Sequence, residues 1–165
     1  MKPVSIGVVS DSHGRFKRLK KMADEAPAVS AWIHGGDYSS DADDLATYTG
    51  VPAYAVLGNN DYFRESTAPE CRKVTLAGVT IVVIHGCQWY GEKRLEKLVE
   101  LGQENKASLV IFGHTHRCFL KNIDGITILN PGSIGLPRDC RHGTYGIVTI
   151  DQKKIQDIRM YELSD

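Results

Sequence analysis

Apolar positions along the chain follow two periods, and the change from one to the other marks out the elements. Val4-Ser-Ile-Gly-Val-Val9 reads as a first strand. Arg15 to Ala26 then carries Lys and Leu at helical spacing, and Pro27 stops it. Val29 to Ile33 is a second buried strand, and Pro52 to Leu57 a third. Between them, Asp41-Ala-Asp-Asp44 has the form of the cap and first turn of a short helix, where carboxylates offset the positive amino end. Val74-Thr-Leu76 and Val79 to Ile84 flank Ala77-Gly78 as a tight hairpin. Gly91 to Glu104 is amphipathic, with Leu95, Leu98, Val99 and Leu101 inward and charges outward. The strand Leu109-Val-Ile-Phe112 follows it. Beyond that point helices cease: Cys118 to Ile123, the Asp124-Gly125 turn, Ile126 to Leu129, Tyr145 to Ile150 and Ile155 to Tyr161 read as a meander. Strand–helix alternation followed by hairpins predicts an α/β fold with mixed sheets.

The totals narrow the class without naming a chemistry. A chain of 165 residues with 42% hydrophobic and 24% charged content is expected to form one domain over 1–165. Lys+Arg and Asp+Glu balance at 20 each, so no general field draws it to nucleic acid or an anionic membrane. Local clustering of Arg138, Arg141 and Lys121 keeps a nucleic-acid partner open, though disfavoured. A phosphate substrate stays compatible with the neutral balance, because bound divalent cations would supply local charge. No signal-peptide organisation and no apolar run near about 20 residues is present. Cys71, Cys87, Cys118 and Cys140 have no Cys-x-x-Cys spacing, so reduced thiols in a cytoplasmic protein are expected. A homo-oligomer is left open.

The candidate chemistry lies at the strand ends. Leu109-Val-Ile-Phe-Gly-His-Thr-His116 runs from a strand into two imidazoles at i and i+2, which extended backbone turns to the same side. Four other strand-like runs finish in the same manner: at Asp11 and His13, at Asp37, at Asn59 and at His85. Ligands in α/β folds gather beyond the carboxyl ends of strands. Adjacent glycines permit tight turns and close backbone approach. The donor set is two carboxylates, one amide and four imidazoles, more than one tetrahedral zinc would take. It suits two cations about 3.5–4 Å apart, bridged by Asp11 or Asp37. Mixed nitrogen and oxygen ligation fits Mn²⁺, Fe, Co²⁺, Ni²⁺ or Zn²⁺ better than Mg²⁺ or Ca²⁺.

Asp11-x-His13, Gly36-Asp37, Gly58-Asn59-Asn60-Asp61, His85-Gly86 and Gly113-His-Thr-His116, together with Asn130-Pro-Gly-Ser133, resemble the calcineurin-like metallophosphoesterases in order and spacing. The similarity runs from Val4 to about Ile150 and is nearest to the small bacterial and archaeal phosphodiesterase branch, to which the eukaryotic retromer subunit Vps29 also belongs. It implies a four-layer αββα sandwich of two mixed β-sheets flanked by helices. It also implies one ion on Asp11, His13, Asp37 and His116 and a second on Asp37, Asn59, His85 and His114, with Asp37 as the bridge. The activity implied is hydrolysis of a small-molecule phosphoester, most readily a phosphodiester, by in-line attack of a metal-bridging hydroxide, with Mn²⁺ the first choice of metal. The alternative is a Vps29-like scaffold that retains a metal site without catalysis.

One position departs from the family pattern. Larger members read Gly-Asn-His, and that histidine helps bind phosphate and protonate the leaving oxygen. Here Asn60 can donate a hydrogen bond but cannot deliver a proton. A general acid contributes about 10²–10⁴ in rate, so turnover of poor leaving groups is expected to be weak. Among the remaining polar residues, His34 is expected to pack behind the loop and Asp61 to orient the Asn59–Asn60 segment. His142 is expected in solvent, Trp32 in the core, and Asn130 to Ser133 in a structural turn. Arg138 and Arg141 are candidates to grip a second phosphate substituent.

Overall fold

The computed structural model describes residues 2–62 and 66–165. Within them the chain runs β1 (Val4–Val9), α1 (Phe16–Glu25), β2 (Ala31–His34), α2 (Asp41–Thr49), β3 (Ala53–Ala55), β4 (Cys71–Leu76), β5 (Val79–Ile84), α3 (Gly91–Glu104) and β6 (Leu109–Ile111). It ends with β7 (Cys118–Ile123), β8 (Ile126–Pro131), β9 (Thr144–Asp151) and β10 (Lys154–Glu162). The strands form two five-stranded sheets, ordered β10-β9-β1-β2-β3 and β4-β5-β6-β8-β7. Both are mixed: β1, β2 and β3 run parallel, as do β5, β6 and β8, while β9, β10, β4 and β7 pair antiparallel at the flanks.

Alternation along each central strand explains the layering. Ile6, Val8, Ala31, Ile33, Ile81, Val83, Leu109 and Ile111 all enter one buried cluster between the two sheets. Their neighbours point the other way. Val9 and Trp32 join Leu19 and Met22 of α1 and Leu45 of α2 under the first sheet. Val82, Ile84, Val110 and Phe112 join Leu98 and Val99 of α3 under the second. A strand buried on both faces needs apolar residues at both parities, and that is what these runs supply. The result is the expected αββα sandwich of two mixed sheets. Gly7 illustrates the fit: a Cβ there would lie 2.2 Å from Trp32 Cε3, so only glycine lets the indole lie across β1.

Three local expectations are revised. The carboxy-terminal meander is divided: β7 and β8 complete the second sheet, whereas β9 crosses to pair with β1 in the first. Hairpin periodicity cannot reveal that exchange, because either sheet offers a strand the same two faces. The third strand is limited to Ala53–Ala55; Val56 stays buried and Leu57 N bonds to Pro69 O. Asp41 does not cap α2, which has Ser40 at its cap and no side-chain cap bond. Its carboxylate instead accepts from Ser12 Oγ at 2.7 Å and Gly14 N at 3.1 Å.

Candidate metal centre

Parallel neighbours carry their carboxyl ends to the same edge, so β1, β2, β3, β5 and β6 all deliver their loops to one rim of the sandwich. Asp11 and His13 follow β1, Asp37 follows β2, Asn59 follows β3, His85 follows β5, and His114 and His116 follow β6. All seven meet there. Ligand atoms of Asp11, His13, Asp37 and His116 lie within 4.8 Å of one another. His116 Nε2 is 3.2 Å from Asp11 Oδ1, and His13 Nε2 is 3.4 Å from Asp37 Oδ2. On the other side of Asp37, His85 Nε2 lies 3.4 Å from Oδ1. The His114 ring stands 5.2 Å from the His85 ring, with its Nδ1 3.2 Å from Asn59 Oδ1.

The loops hold this shape by strain and by close approach. Asp11, His13, Asp37, His114 and His116 all have φ between +51° and +70°. That left-handed region is costly for any residue with a Cβ, although Asp and His enter it more often than most. Two glycines admit the neighbouring loops. A Cβ on Gly58 would lie 2.2 Å from Asp37 Oδ1, and one on Gly113 would lie 2.5 Å from Asp11 Oδ2.

Backbone and side-chain bonds aim the donors inward. His85 Nδ1 contacts Gly35 O at 2.7 Å and His116 Nδ1 contacts Leu136 O at 2.6 Å. A carbonyl can only accept, so each Nδ1 carries the proton and each Nε2 presents its lone pair to the centre. Ser10 Oγ donates to Asp11 Oδ2 at 2.6 Å, and His114 N donates to the same oxygen at 3.1 Å. Asp61, 2% exposed, accepts from Asp37 N, Ser39 N and Gly58 N at 3.0, 2.9 and 2.8 Å. It ties the β2 and β3 loops together, as its position after Asn59-Asn60 suggests. His34 is fully buried, with Gly36 N donating to Nδ1 and Nε2 2.9 Å from Ser12 Oγ. Its place is behind the loop. The expected turn at Asn130 to Ser133 is in part strand: Asn130, near the end of β8, donates Nδ2 to Gly113 O, and Ser133 just beyond it donates Oγ to Asp11 O, so both support the rim. Trp32 lies in the core at 1% exposure. His142, expected in solvent, is half-buried and pairs with Asp165.

Sequence reasoning passed over Ser10, Ser12 and Asp41, which form the layer beneath the donors. Ser10 and Ser12 flank Asp11 in the chain, and that adjacency was the available signal. Asp41 gave none, because three carboxylates at a helix start have a sufficient local explanation.

The electrostatics ask for positive charge at the centre. Burial opposes ionisation of Asp11, but the His116, His13 and His85 imidazoles and the Ser10 hydroxyl outweigh it and hold its carboxyl far below the usual range. Burial likewise acts against Asp37, and His85 with the Asn60 amide groups brings it down. Burial pushes His85 and His116 toward neutrality, yet Asp37 and Asp11 raise both above the ordinary imidazole value. His114 is lowered by burial and by the charges of His85 and Arg94. The His13 and His116 Nε2 atoms are 3.2 Å apart, and two such atoms can share at most one proton. Asp11 Oδ1 and His85 Nε2 are buried without a hydrogen-bond partner. Orphaned buried donors and acceptors are rare and mark a place where an ion or ligand can bind. The residues present therefore fit divalent metal.

Fold and donor set together define a class, a two-sheet sandwich with candidate metal ligands on the loops of its parallel strands. The chain belongs to the calcineurin-like phosphoesterase superfamily, whose domain matches residues 4–153. A probable metallophosphoesterase of Mycoplasma pneumoniae is 32% identical over 167 residues, covering 93% of this chain and 94% of the relative. A phosphodiesterase of Methanocaldococcus jannaschii is 24% identical over 184 residues, covering 94% and 98%. Vps29 of Entamoeba histolytica, solved as a zinc complex, superposes with a TM-score of 0.73 over 96% of this chain and 91% of its own, at 18% identity, and shares the fold. Among the described residues no helix is long and apolar enough to cross a membrane.

Proposed function

We propose that the chain is a cytoplasmic dinuclear metal-dependent phosphodiesterase acting on a small-molecule phosphoester. Asp11, His13, Asp37 and His116 would hold one ion, and Asp37, Asn59, His85 and His114 the other, with Asp37 shared. The observation that carries the reading is the pair of unsatisfied buried atoms, Asp11 Oδ1 and His85 Nε2, which lie 3.8 Å apart, with His85 Nε2 also 3.4 Å from Asp37 Oδ1. Oxygen and imidazole donors without thiolate favour Mn²⁺, with Fe, Co²⁺, Ni²⁺ and Zn²⁺ also accommodated. Such ions supply Lewis acidity and make hydroxide available from water near neutral pH, for in-line attack on phosphorus.

The chain's own contribution is orientation. Gly35 O and Leu136 O keep the His85 and His116 rings turned inward, and Asp61 keeps the Asp37 and Asn59 loops in register. Asn60 N and Nδ2 donate to Asp37 at 3.0 and 2.8 Å, and this proximity to the donor set supports a role for that amide in donating to a phosphate oxygen. No proton can pass from Asn60 to a departing alkoxide. Activated aryl phosphodiesters, whose aryloxide departs without protonation as the P–O bond breaks, are therefore the favoured substrates. The likeness to a phosphodiesterase relative supports the diester over the monoester. A Vps29-like scaffold is the competing use of this fold; the intact donor set and its strained backbone favour the hydrolase.

Metal analysis of the purified protein, alongside hydrolysis of bis(p-nitrophenyl) phosphate with added Mn²⁺, tests the reading. The parent is expected to bind two equivalents and turn over, and His114→Ala to lose most of the activity. Metal-independent hydrolysis, or equal rates in both proteins, refutes it.

A further inference from the structure

We propose that a second anion pocket beside the metal centre binds a terminal phosphate on the substrate, so that the preferred diester carries one more phosphoryl group on one ester arm. The proposal rests on the phosphoesterase reading above. The pocket is a cavity of about 440 Å³ between the start of α1 and the loop after β8, and His116 forms part of its wall. Arg15, Arg18, Arg138 and Arg141 all line it, and no acidic residue does.

The four arginines are not equivalent. Arg18 is fixed, its Nη1 donating to Ile134 O at 3.3 Å and Gly135 O at 2.6 Å. The guanidinium groups of Arg15, Arg138 and Arg141 make no hydrogen bond or ion pair among the described residues, whereas Arg72, Arg94 and Arg159 each have an internal acceptor. Converging cations with no carboxylate between them repel one another, and an external dianion removes that repulsion. Guanidinium forks suit phosphate, which they can grip with paired N–H donors.

The pocket is mechanically part of the metal site. Arg138 N donates to His116 O at 3.0 Å, and Leu136 O receives the His116 Nδ1 proton. The loop that presents Arg138 and Arg141 is thus anchored on a metal-ligand candidate at both backbone and side chain. A substrate lying across the centre would extend its second phosphate over His116 into the arginines. Arg15, Arg138 and Arg141 are exposed, so solvent screening leaves their contacts to a dianion worth about one charge-assisted bond in total, which predicts about 10- to 100-fold discrimination between substrates with and without the extra group.

The test compares 5′-(p-nitrophenylphospho)thymidine 3′-phosphate with bis(p-nitrophenyl) phosphate in the Mn²⁺-loaded protein. The parent is expected to favour the first in kcat/KM by about tenfold or more, and Arg138→Gln/Arg141→Gln to bring the ratio toward one. Arg141→Lys, which keeps the charge and loses the fork, should fall between. A parent ratio near one, or a ratio retained in the double variant, overturns the proposal. So does cleavage of a thymidine oligomer, whose second phosphate is an internal diester, as efficient as that of the terminal phosphate. Inorganic pyrophosphate titrated calorimetrically into metal-free protein gives a readout without turnover, and binding should weaken about tenfold in the double variant. Pyrophosphate affinity equal in parent and variant removes the pocket. Loss of pyrophosphate affinity in the variant, with neither ester hydrolysed by the parent, refutes the phosphoesterase reading and leaves the pocket standing.

Discussion

Asp61→Asn separates positioning of the centre from stability of the fold. Asp61 Oδ2 accepts from both Asp37 N and Gly58 N, and Oδ1 accepts from Ser39 N. An amide whose oxygen takes the Oδ2 place keeps two of these bonds, but its NH₂ then opposes the Ser39 N–H. Losing one charge-assisted bond and leaving a buried donor unpaired costs about 1–3 kcal/mol. Against a total near 5–15 kcal/mol the variant still folds. With a urea m-value of about 2 kcal/mol per M, the midpoint should fall by about 1 M, read by the fluorescence of buried Trp32. The effect on function should be disproportionate, because the repelled loop is the one that carries Asp37. A displacement of about 1 Å at a positioned group can cost 10²-fold in rate. Mn²⁺-dependent hydrolysis of bis(p-nitrophenyl) phosphate should therefore drop at least tenfold with most molecules folded. A variant with parental rate and metal affinity would refute the account of Asp61 as the tie between the β2 and β3 loops, whatever its midpoint.

Three further outcomes follow from the same geometry. His85→Ala removes a buried donor facing Asp37, so metal content measured by mass spectrometry should fall by about one equivalent; two equivalents retained would remove His85 from the ligand set. Asn60→His should raise turnover of diesters with poor leaving groups by about 10²-fold and change aryl diesters little, read from the slope of rate against leaving-group pKa; an unaltered slope contradicts the missing-acid argument. His34 is held below its ordinary pKa, chiefly by burial. Its folded form resists protonation while the unfolded chain takes a proton below about 6.5, so the stability it contributes above that value is lost as pH falls toward the folded pKa. The urea-midpoint advantage of the metal-free parent over His34→Gln should thus shrink between about pH 7.5 and 5.5, and a constant advantage refutes it.

Local chemistry alone determined a good deal of this protein. Residues such as Ile6, Val8, Val82 and Val110 announce strands buried on both faces, and Leu98 with Val99 announces the helix that covers one sheet, because burial periodicity is written into adjacent positions. The seven donors were equally visible, each following a strand and standing near a glycine, since strand ends are where the backbone is free to present a side chain. What tertiary structure decided is everything that depends on partners distant in the chain. That β9 leaves the second sheet to lie beside β1 is set by competition between two sheets that look alike locally. Asp41 begins its helix but turns its carboxylate away from the helix end, to Ser12 Oγ and Gly14 N, which are far away in sequence. The left-handed backbone at Asp11, His13, Asp37, His114 and His116 exists only because surrounding loops over-determine it. Arg138 and Arg141 could be singled out in the sequence, but Arg15 and Arg18 join them only because the fold brings α1 and the loop after β8 to one cavity. Side-chain type and spacing are properties of the chain; convergence, strain and unpaired charge are properties of its packing.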